Sequence, residues 1–495
     1  MSKIRGMHGF LTSSIGVTCA AALSLPLTTA PTTATAATGR AAPASAQAPA
    51  TAYVPGSTQS VPLAPLAGDR ASTAPGTPAQ GVPRRDTRRF SLVGVVWDDP
   101  ANELHGRVQV RTRATATGAW SDWQDLETHN ADHAADPGTA ESASGRVRGA
   151  TAPLWVGESD GVEARVRAAG EDGPTDAAPA TSPLPAGMRL ELVDPGEGAP
   201  PQPPTEATAP GEASRTTTGS VEPAEPVDAA AAAEALGSAE SAEVFASLEG
   251  LDASAANAGL APLGATEIPA LSRTQTEKEL LALGTLTEQQ KAKPYVGPRP
   301  RITTRRGWGA DEKLRDKKFV YTKKVKAAFV HHSATGNNYR CSQAPSVIRG
   351  IYRYHVKSMG WRDIGYNFLV DKCGKIYEGR AGGVSKPVLG AHTMGFNSNS
   401  MGIAVLGTYG SKKPSSAAVK AVARLTAWKL GLHGMNPRGK TYLKSGGGNL
   451  YRKGKNVRLN VISGHRDGFA TSCPGKQLYG KLGTARSTAA RYQGR

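Results

Sequence analysis

Only two stretches of this chain carry the regular alternation of apolar and polar residues from which a packed core can be built. The first, residues 88–195, has the period of two expected of half-buried strands. Arg107–Arg113 reads Arg-Val-Gln-Val-Arg-Thr-Arg; Phe90–Trp97, Leu154–Val156, Val162–Val166 and Met188–Val193 are further strand candidates, set apart by Gly, Pro and Asp. Several short strands in about 100 residues predict a small all-β, sandwich-like domain. The second stretch, residues 295–495, mixes both periods. Val325–Val330 reads as a strand running into His331-His332-Ser333, and Pro345–Met359 as a helix with apolar residues recurring at three and four. Tyr366–Val370 and Lys375–Glu378 flank Asp371-Lys-Cys-Gly374 as a hairpin. Met401–Tyr409 suits a buried strand. Ser415–Leu430 is a second amphipathic helix, with Ser415 or Ser416 as cap and Gly431 as terminator, and Pro474 is placed to open a third. Strands alternating with helices predict an α/β domain with a mixed central sheet flanked by helices.

The rest of the chain is of another kind. With 57 Gly and 35 Pro among 495 residues, much of it is too poor in apolar side chains to pack. Residues 37–87 are rich in Ala, Thr, Pro and Ser and read as a disordered linker. Residues 196–294 read as an acidic Pro/Ala-rich linker, in which Asp228–Leu251 and Thr274–Lys291 are transient or docked helices. Residues 1–36 have the layout of a secretory signal peptide: Lys3 and Arg5, an apolar stretch from Phe10 to about Leu27, then Ala34-Thr35-Ala36 as the cleavage site. Ser, Thr and Gly interrupt the stretch, which argues against a retained membrane anchor. Gly16-Val17-Thr18 before Cys19 is a poor lipoprotein box. No other apolar run of about 20 residues occurs, which excludes a polytopic membrane protein. The expectation is a secreted or cell-wall protein with no stable membrane insertion.

Charge divides the chain as sharply as periodicity does. Residues 301–495 hold 37 Lys/Arg against 7 Asp/Glu, a net +30, whereas residues 1–300 carry a net −12. The C-terminal part is therefore suited to a polyanion. Trp120 and Trp123, in Gly118-Ala-Trp-Ser-Asp-Trp, are a sugar-stacking platform or, as aromatics in sandwiches more often are, part of the core or a strand-edge cluster.

Once the leader with Cys19 is set aside, Cys341, Cys373 and Cys473 remain. An odd number in an exported chain leaves one thiol as a reactive group, an intermolecular bridge or a metal ligand. His331 and His332 end a strand, so their side chains point to opposite faces and do not bind one metal together. His465 and Cys473 lie eight apart in Gly464-His-Arg-Asp-Gly-Phe-Ala-Thr-Ser-Cys-Pro474. Pro474 favours an extended Cys473 just before a helix, and a helix start lowers a thiol's pKa. His331, His465 and Cys473 together make a three-ligand zinc set with the fourth position open to water, as in catalytic sites. The competing reading is a free thiol beside an incidental histidine.

These residues sit in a wider pattern. Arg306-Gly-Trp-Gly-Ala310, Val330-His-His-Ser333, Gly360-Trp-Arg-Asp-Ile-Gly-Tyr-Asn367, Ile376-Tyr-Glu-Gly-Arg380, Gly390-Ala-His-Thr393, Met401-Gly-Ile-Ala404 and Gly464-His-Arg-Asp467 through Cys473-Pro-Gly475 follow one another in residues 299–482. This stretch resembles the peptidoglycan recognition protein family and its bacteriophage relatives, the zinc N-acetylmuramoyl-L-alanine amidases. The resemblance covers little more than a third of the chain. It implies zinc on His331, His465 and Cys473, and Tyr366 and Thr471 as catalytic partners. Phage relatives carry Lys where Thr471 stands. It places His332, His355 and His392 along a peptide groove, with Trp361 either there or in the core. Gly431–Asn460 falls outside the shared pattern. With Cys473 assigned to zinc, Cys341 and Cys373 are left to pair, closing a loop for which chain entropy assigns roughly 3–4 kcal/mol. The implied function is zinc-dependent hydrolysis of the N-acetylmuramoyl-L-alanine bond by a monomer that meets peptidoglycan and the anionic wall, not nucleic acid. A non-catalytic peptidoglycan receptor and a cysteine hydrolase using Cys473 with His465 as base are the alternatives.

Overall fold

The computed structural model describes residues 54–66, 79–128, 130–169, 183–197, 251–282 and 294–495. The leader and the Ala/Glu/Leu stretch from 228 to 250 lie outside them. The two periodic stretches form two sheets, as their periods require.

The N-terminal sheet has eight strands, six of them in the order Ser57–Pro62, Arg189–Asp194, Ala79–Trp97, Leu154–Ala168, Gly106–Ala114, Gln124–Leu126, all pairing antiparallel. Strand Ala79–Trp97 pairs with both Leu154–Ala168 and Arg189–Asp194, and three register shifts along it supply the bends of a sandwich-like fold. Along Gly106–Ala114, Val108 and Val110 turn into a core with Phe90, Val93, Val95, Val162, Val166, Leu190 and Leu192. Arg107, Arg111 and Arg113 turn outward onto Asp125, Glu163 and Asp160. Trp120 and Trp123 are not open platforms. The Arg84 guanidinium lies over Trp120 at 4.4 Å, and Arg165 and Arg111 lie over Trp123 at 4.0 and 4.8 Å. They form a strand-edge stack of rings and cations.

This domain starts well before residue 88. Ser57–Pro62 and the first half of Ala79–Trp97 fall in the segment expected to be a disordered linker. Their side chains are polar because these lengths of strand face solvent. Backbone pairing holds them, Ser57–Pro62 against Arg189–Asp194 over six residues, and composition does not report backbone pairing.

The C-terminal sheet is mixed and has seven strands: Ile462–Gly464, Ala327–His332, Ser400–Val405, Phe368–Val370, Ile376–Glu378, Ile302–Thr303 and Glu267–Ile268. The central pairs are parallel, and the predicted hairpin Phe368–Val370 with Ile376–Glu378 is antiparallel. Ser416–Leu432, capped by the Ser415 side chain, and Leu482–Tyr492 cover one face with Ala328, Val330, Ile403 and Val405 beneath them. Ala344–Arg353, continued by a wider turn at Tyr354–Ser358, covers the other. The architecture is α/β with helices on both faces, as the periods predict. The edge strand Glu267–Ile268 and the helix Arg273–Ala282 belong to this domain although they precede residue 295; Ile268 and Leu280 are buried in its core. Cys341 and Cys373 form the expected disulfide between the approach to Ala344–Arg353 and the hairpin turn. Gly431–Asn460 contributes a separate hairpin, Lys440–Lys444 with Asn456–Asn460, whose Leu443, Val457 and Leu459 pack on Ala327, Phe329 and Phe396.

The apolar run Phe90–Trp97 is continuous because both its faces are buried. Val93 and Val95 face the sandwich core, while Leu92 and Val96, with Trp155 and Val193, pack against Ile348, Ile351 and Tyr354 of the second domain. Gly94 is required there: a methyl group in its place would overlap the Tyr354 ring. No described helix is long and apolar enough to cross a membrane.

Candidate metal centre

The parallel strands deliver the first two histidines. His331 shares the face of Ala327 and Phe329, while His332 follows Ala328 and Val330 onto the opposite one, as strand parity requires. Ile462–Gly464 runs parallel beside Ala327–His332 and ends in a short helical turn that begins at His465. The loop after that turn returns Cys473, whose Sγ lies 3.8 Å from His331 Nδ1. His331 Nε2 is 3.4 Å from the Thr393 hydroxyl, which leaves Nδ1 as the ring atom facing the thiol.

A fourth donor comes from the other domain. The turn Ala131–His133, on the connection between the N-terminal strands Gln124–Leu126 and Leu154–Ala168, brings His133 against both His331 and His465, whose own rings are 4.4 Å apart. Ring centroids are 5.2 Å apart for His133–His331 and 4.5 Å for His133–His465. The Asp132 carboxylate accepts from His133 Nδ1–H at 2.7 Å, leaving Nε2 free to face Cys473 Sγ at 3.7 Å. The Asp132 carbonyl accepts from His465 Nε2–H at 3.2 Å and from the Met394 backbone N–H at 2.9 Å. Each second nitrogen is thus engaged in the way that orients metal-binding histidines. Nothing in the sequence singles His133 out: it stands in Asn130-Ala-Asp-His133, in another domain and nearly 200 residues from His331. Only its being a histidine beside an acid hints at it.

The donor set fits zinc. His133, His331, His465 and Cys473 are all buried, and their donor atoms lie within 4.8 Å of one another. Zinc bond lengths of about 2.0–2.3 Å put tetrahedral N and S donors roughly 3.3–3.8 Å apart. His465 Nδ1 and Asp132 Oδ2 are buried with no hydrogen-bond partner, orphaned atoms at the very place a cation would satisfy. Burial lowers His331 well below the ordinary histidine range and His465 to about 3, so both offer lone pairs. Burial raises the Asp132 carboxyl, but His133, His465 and its hydrogen bonds outweigh that and hold it below the usual range.

Two expectations change. The set holds a fourth protein donor, His133, beside the three for which an open position was expected. The helix expected to start at Pro474 starts at Lys476, after Gly475, and is one turn long. Burial, with the Asp132 charge adding to it, pushes the Cys473 thiol well up. A bound cation, not the helix, is what would make it a thiolate.

The remaining candidates divide. Tyr366 lies 5.5 Å from His331 and 5.9 Å from His133 between ring centroids, and burial raises its phenol well above the ordinary value. His355 stacks on Trp361 at 4.5 Å and accepts from the Gly365 N–H, and its ring is 5.8 Å from Tyr366. His392 is 5.3 Å from His331 and is held by Thr393 and Ser400. The Thr471 hydroxyl accepts from the Cys473 N–H at 3.1 Å. His332, expected along the groove, is turned away from His331 and accepts from the Tyr409 N–H. The alternation of the strand that aims His331 at the cluster removes His332 from it.

Comparison with known proteins agrees with both domains. Residues 321–476 match the N-acetylmuramoyl-L-alanine amidase family, and residues 35–186 match the Rv3811 N-terminal galactose-binding domain-like family. Three of the four donors fall in the first match and His133 in the second. Peptidoglycan-recognition protein SC2 of Drosophila simulans is 32% identical over 159 residues, which is 32% of this chain and 72% of that protein. Peptidoglycan-recognition protein 1 of Holotrichia diomphalia is 34% identical over 187 residues, 37% of this chain and 79% of its own. With this identity over more than two thirds of such relatives, the chain belongs to the peptidoglycan-recognition protein family.

Proposed function

We propose that the protein hydrolyses the amide between the lactyl group of N-acetylmuramic acid and L-alanine in bacterial peptidoglycan. The observation that carries this reading is the buried cluster of His331, His465 and Cys473, built on three neighbouring elements of the amidase-matched domain. A zinc ion held by these residues would supply Lewis acidity and a water that ionises near neutral pH. Tyr366, a phenol that burial keeps protonated by raising it well above its ordinary value, donates to the carbonyl oxygen as it gains negative charge. Thr471 stands beside Cys473 and supplies a second hydroxyl donor. His355, with Nδ1 fixed by the Gly365 N–H, turns its other nitrogen toward the peptide, and Trp361 supports its ring. His392 lines the far side of the cluster.

The amidase fold spans about residues 251–495, and the sandwich-like domain about residues 54–197. Residues 1–36 act as an export signal, and the mature protein works as a monomer, secreted or on the cell wall. The basic C-terminal half concentrates it on an anionic envelope.

A purified disaccharide-peptide fragment tests the reading. Mass analysis should find free stem peptide with an L-alanine amino terminus, and chelator should abolish its release. Cleavage that survives complete zinc removal would favour Cys473 as a nucleophile, and binding without any cleavage would favour a receptor.

A further inference from the structure

His133 arrives at the metal centre on a segment that lies across the amidase fold and is fastened to it along its length. Beyond Asp132 and His133, the Ala134 carbonyl accepts from Asn397 Nδ2 at 3.0 Å. Asp136 Oδ1 accepts from the Gly395 N–H at 2.8 Å and from Asn397 Nδ2 at 2.7 Å. The buried Glu141 carboxylate takes both amino groups of the Arg380 guanidinium at 2.9 Å, and it accepts from the Arg362 N–H at 3.2 Å. Arg146 reaches Asp316 at 3.3 Å, and the Arg148 N–H donates to the Met359 carbonyl at 3.1 Å.

Beneath this strap nothing is left open. His355, Trp361, Tyr366 and His392 are 3, 2, 4 and 0% exposed. A hydrolase acting on a polymer needs the opposite: a groove along which the chain can lie. The strap also uses the groups that a substrate would use. The Asp132 carbonyl holds His465, and His133 adds a fourth protein donor to the set, at the position where a catalytic zinc keeps water.

We propose that residues 130–148 are a latency strap: His133 completes the coordination shell, and the amide substrate reaches the centre only when the strap lifts from the amidase fold. This rests on the zinc-amidase reading. Arg380 and the loop Thr393–Asn397 are the catches, and the two side chains that fasten to them, Asp136 and Glu141, both belong to the N-terminal domain. The turn Pro137-Gly138 between those two anchors is exposed, as are Ala140, Ala143, Gly145 and Arg146 farther along the strap. Activation is therefore a displacement of one domain's loop from the other domain, and it needs no rearrangement of His331, His465 or Cys473.

The test uses the full chain with cobalt in place of zinc, so that coordination is read as a visible spectrum. The wild-type spectrum should be that of a four-coordinate N₃S site and should resist added acetohydroxamate. His133→Ala should still bind one cobalt, and its spectrum should shift at hydroxamate concentrations at least tenfold lower. It should also release peptide from the disaccharide-peptide at least tenfold faster than the wild type. Glu141→Gln, which keeps all four donors and loosens one catch, should fall between the two. It serves as the second probe should His133→Ala fold poorly. Equal hydroxamate sensitivity in wild type and variants overturns the strap. A His133→Ala protein that no longer binds cobalt also overturns it, by making His133 a structural ligand. A resistant wild type and a sensitive His133→Ala protein, neither of which releases peptide, would leave the strap standing and remove the amidase reading.

Discussion

The two sheets bury themselves in opposite ways. In the C-terminal sheet, helices cover both faces, and all six residues of its strand Ser400–Val405 are buried. In the N-terminal sheet one face closes on its own core, and the outer face is divided. Arg107, Arg111 and Arg113 meet solvent there in ion pairs, while Leu92, Val96 and Val193 are covered by the helix Ala344–Arg353. The difference shows that the N-terminal domain is no appendage on a tether. Its apolar outer face is finished only by the amidase fold, and the loop that rises from this sheet supplies Asp132 and His133.

The sharpest way to separate the two regions is to disable one. Cys473→Ser removes the only thiolate from the donor set. Zinc measured by atomic absorption should fall below stoichiometry, and peptide release should be lost, while the N-terminal domain stays folded by circular dichroism. Tyr366→Phe should keep the metal and lower turnover by on the order of 10²–10³, the usual effect of losing one oxyanion donor. Unchanged turnover would reduce Tyr366 to a packing residue.

A pair of core substitutions addresses the joint itself. Val110→Ala, inside the sandwich, should cost about 1–3 kcal/mol in denaturant unfolding and leave the metal centre shielded. Leu92→Ala, at the joint, should cost about 2–5 kcal/mol and also speed the removal of zinc by chelator. Equal chelation rates would mean that the joint does not hold the strap down.

A pH-dependent effect belongs to Lys429, buried with Nζ donating to the Val384 and Lys386 carbonyls at 2.6 and 2.7 Å. Burial depresses it from 10.5 to about 7. Its contribution is therefore fully present above about pH 10.5 and is lost as pH falls through 7. The neutral amine still has two N–H groups for the two carbonyls. The stability of the wild type relative to Lys429→Met should decline from pH 10 to pH 7 and then level off. A flat difference over that interval would mean that Lys429 titrates normally.

How legible each part was follows from the range of the forces involved. Alternation showed that His331 and His332 diverge, because a strand fixes the direction of every side chain along it, and the surrounding motifs singled out His331 of the two. Cys341, Cys373 and Cys473 were sorted by the count of thiols and the motifs around them. Ser57–Pro62 was missed because an edge strand held by backbone hydrogen bonds needs no apolar pattern. His133 was missed for a deeper reason. Its place is set by the docking of one sheet on the other domain's helix, through Leu92, Val96 and Tyr354, and no local periodicity encodes such long-range packing.

Gly94 carries a consequence for how such a protein could be reassembled. The Tyr354 ring occupies the space a side chain would fill at Gly94, and its hydroxyl donates across the joint to the Thr151 carbonyl at 3.1 Å. Lock and key are thus written in two separate stretches of sequence. A homologous amidase spliced onto this N-terminal domain would inherit the lock without the matching key unless it kept an aromatic hydroxyl at that point of its helix. The two domains are not freely interchangeable cassettes; recombination that parts them must carry both halves of the joint or produce a chain whose catalytic centre is left uncovered.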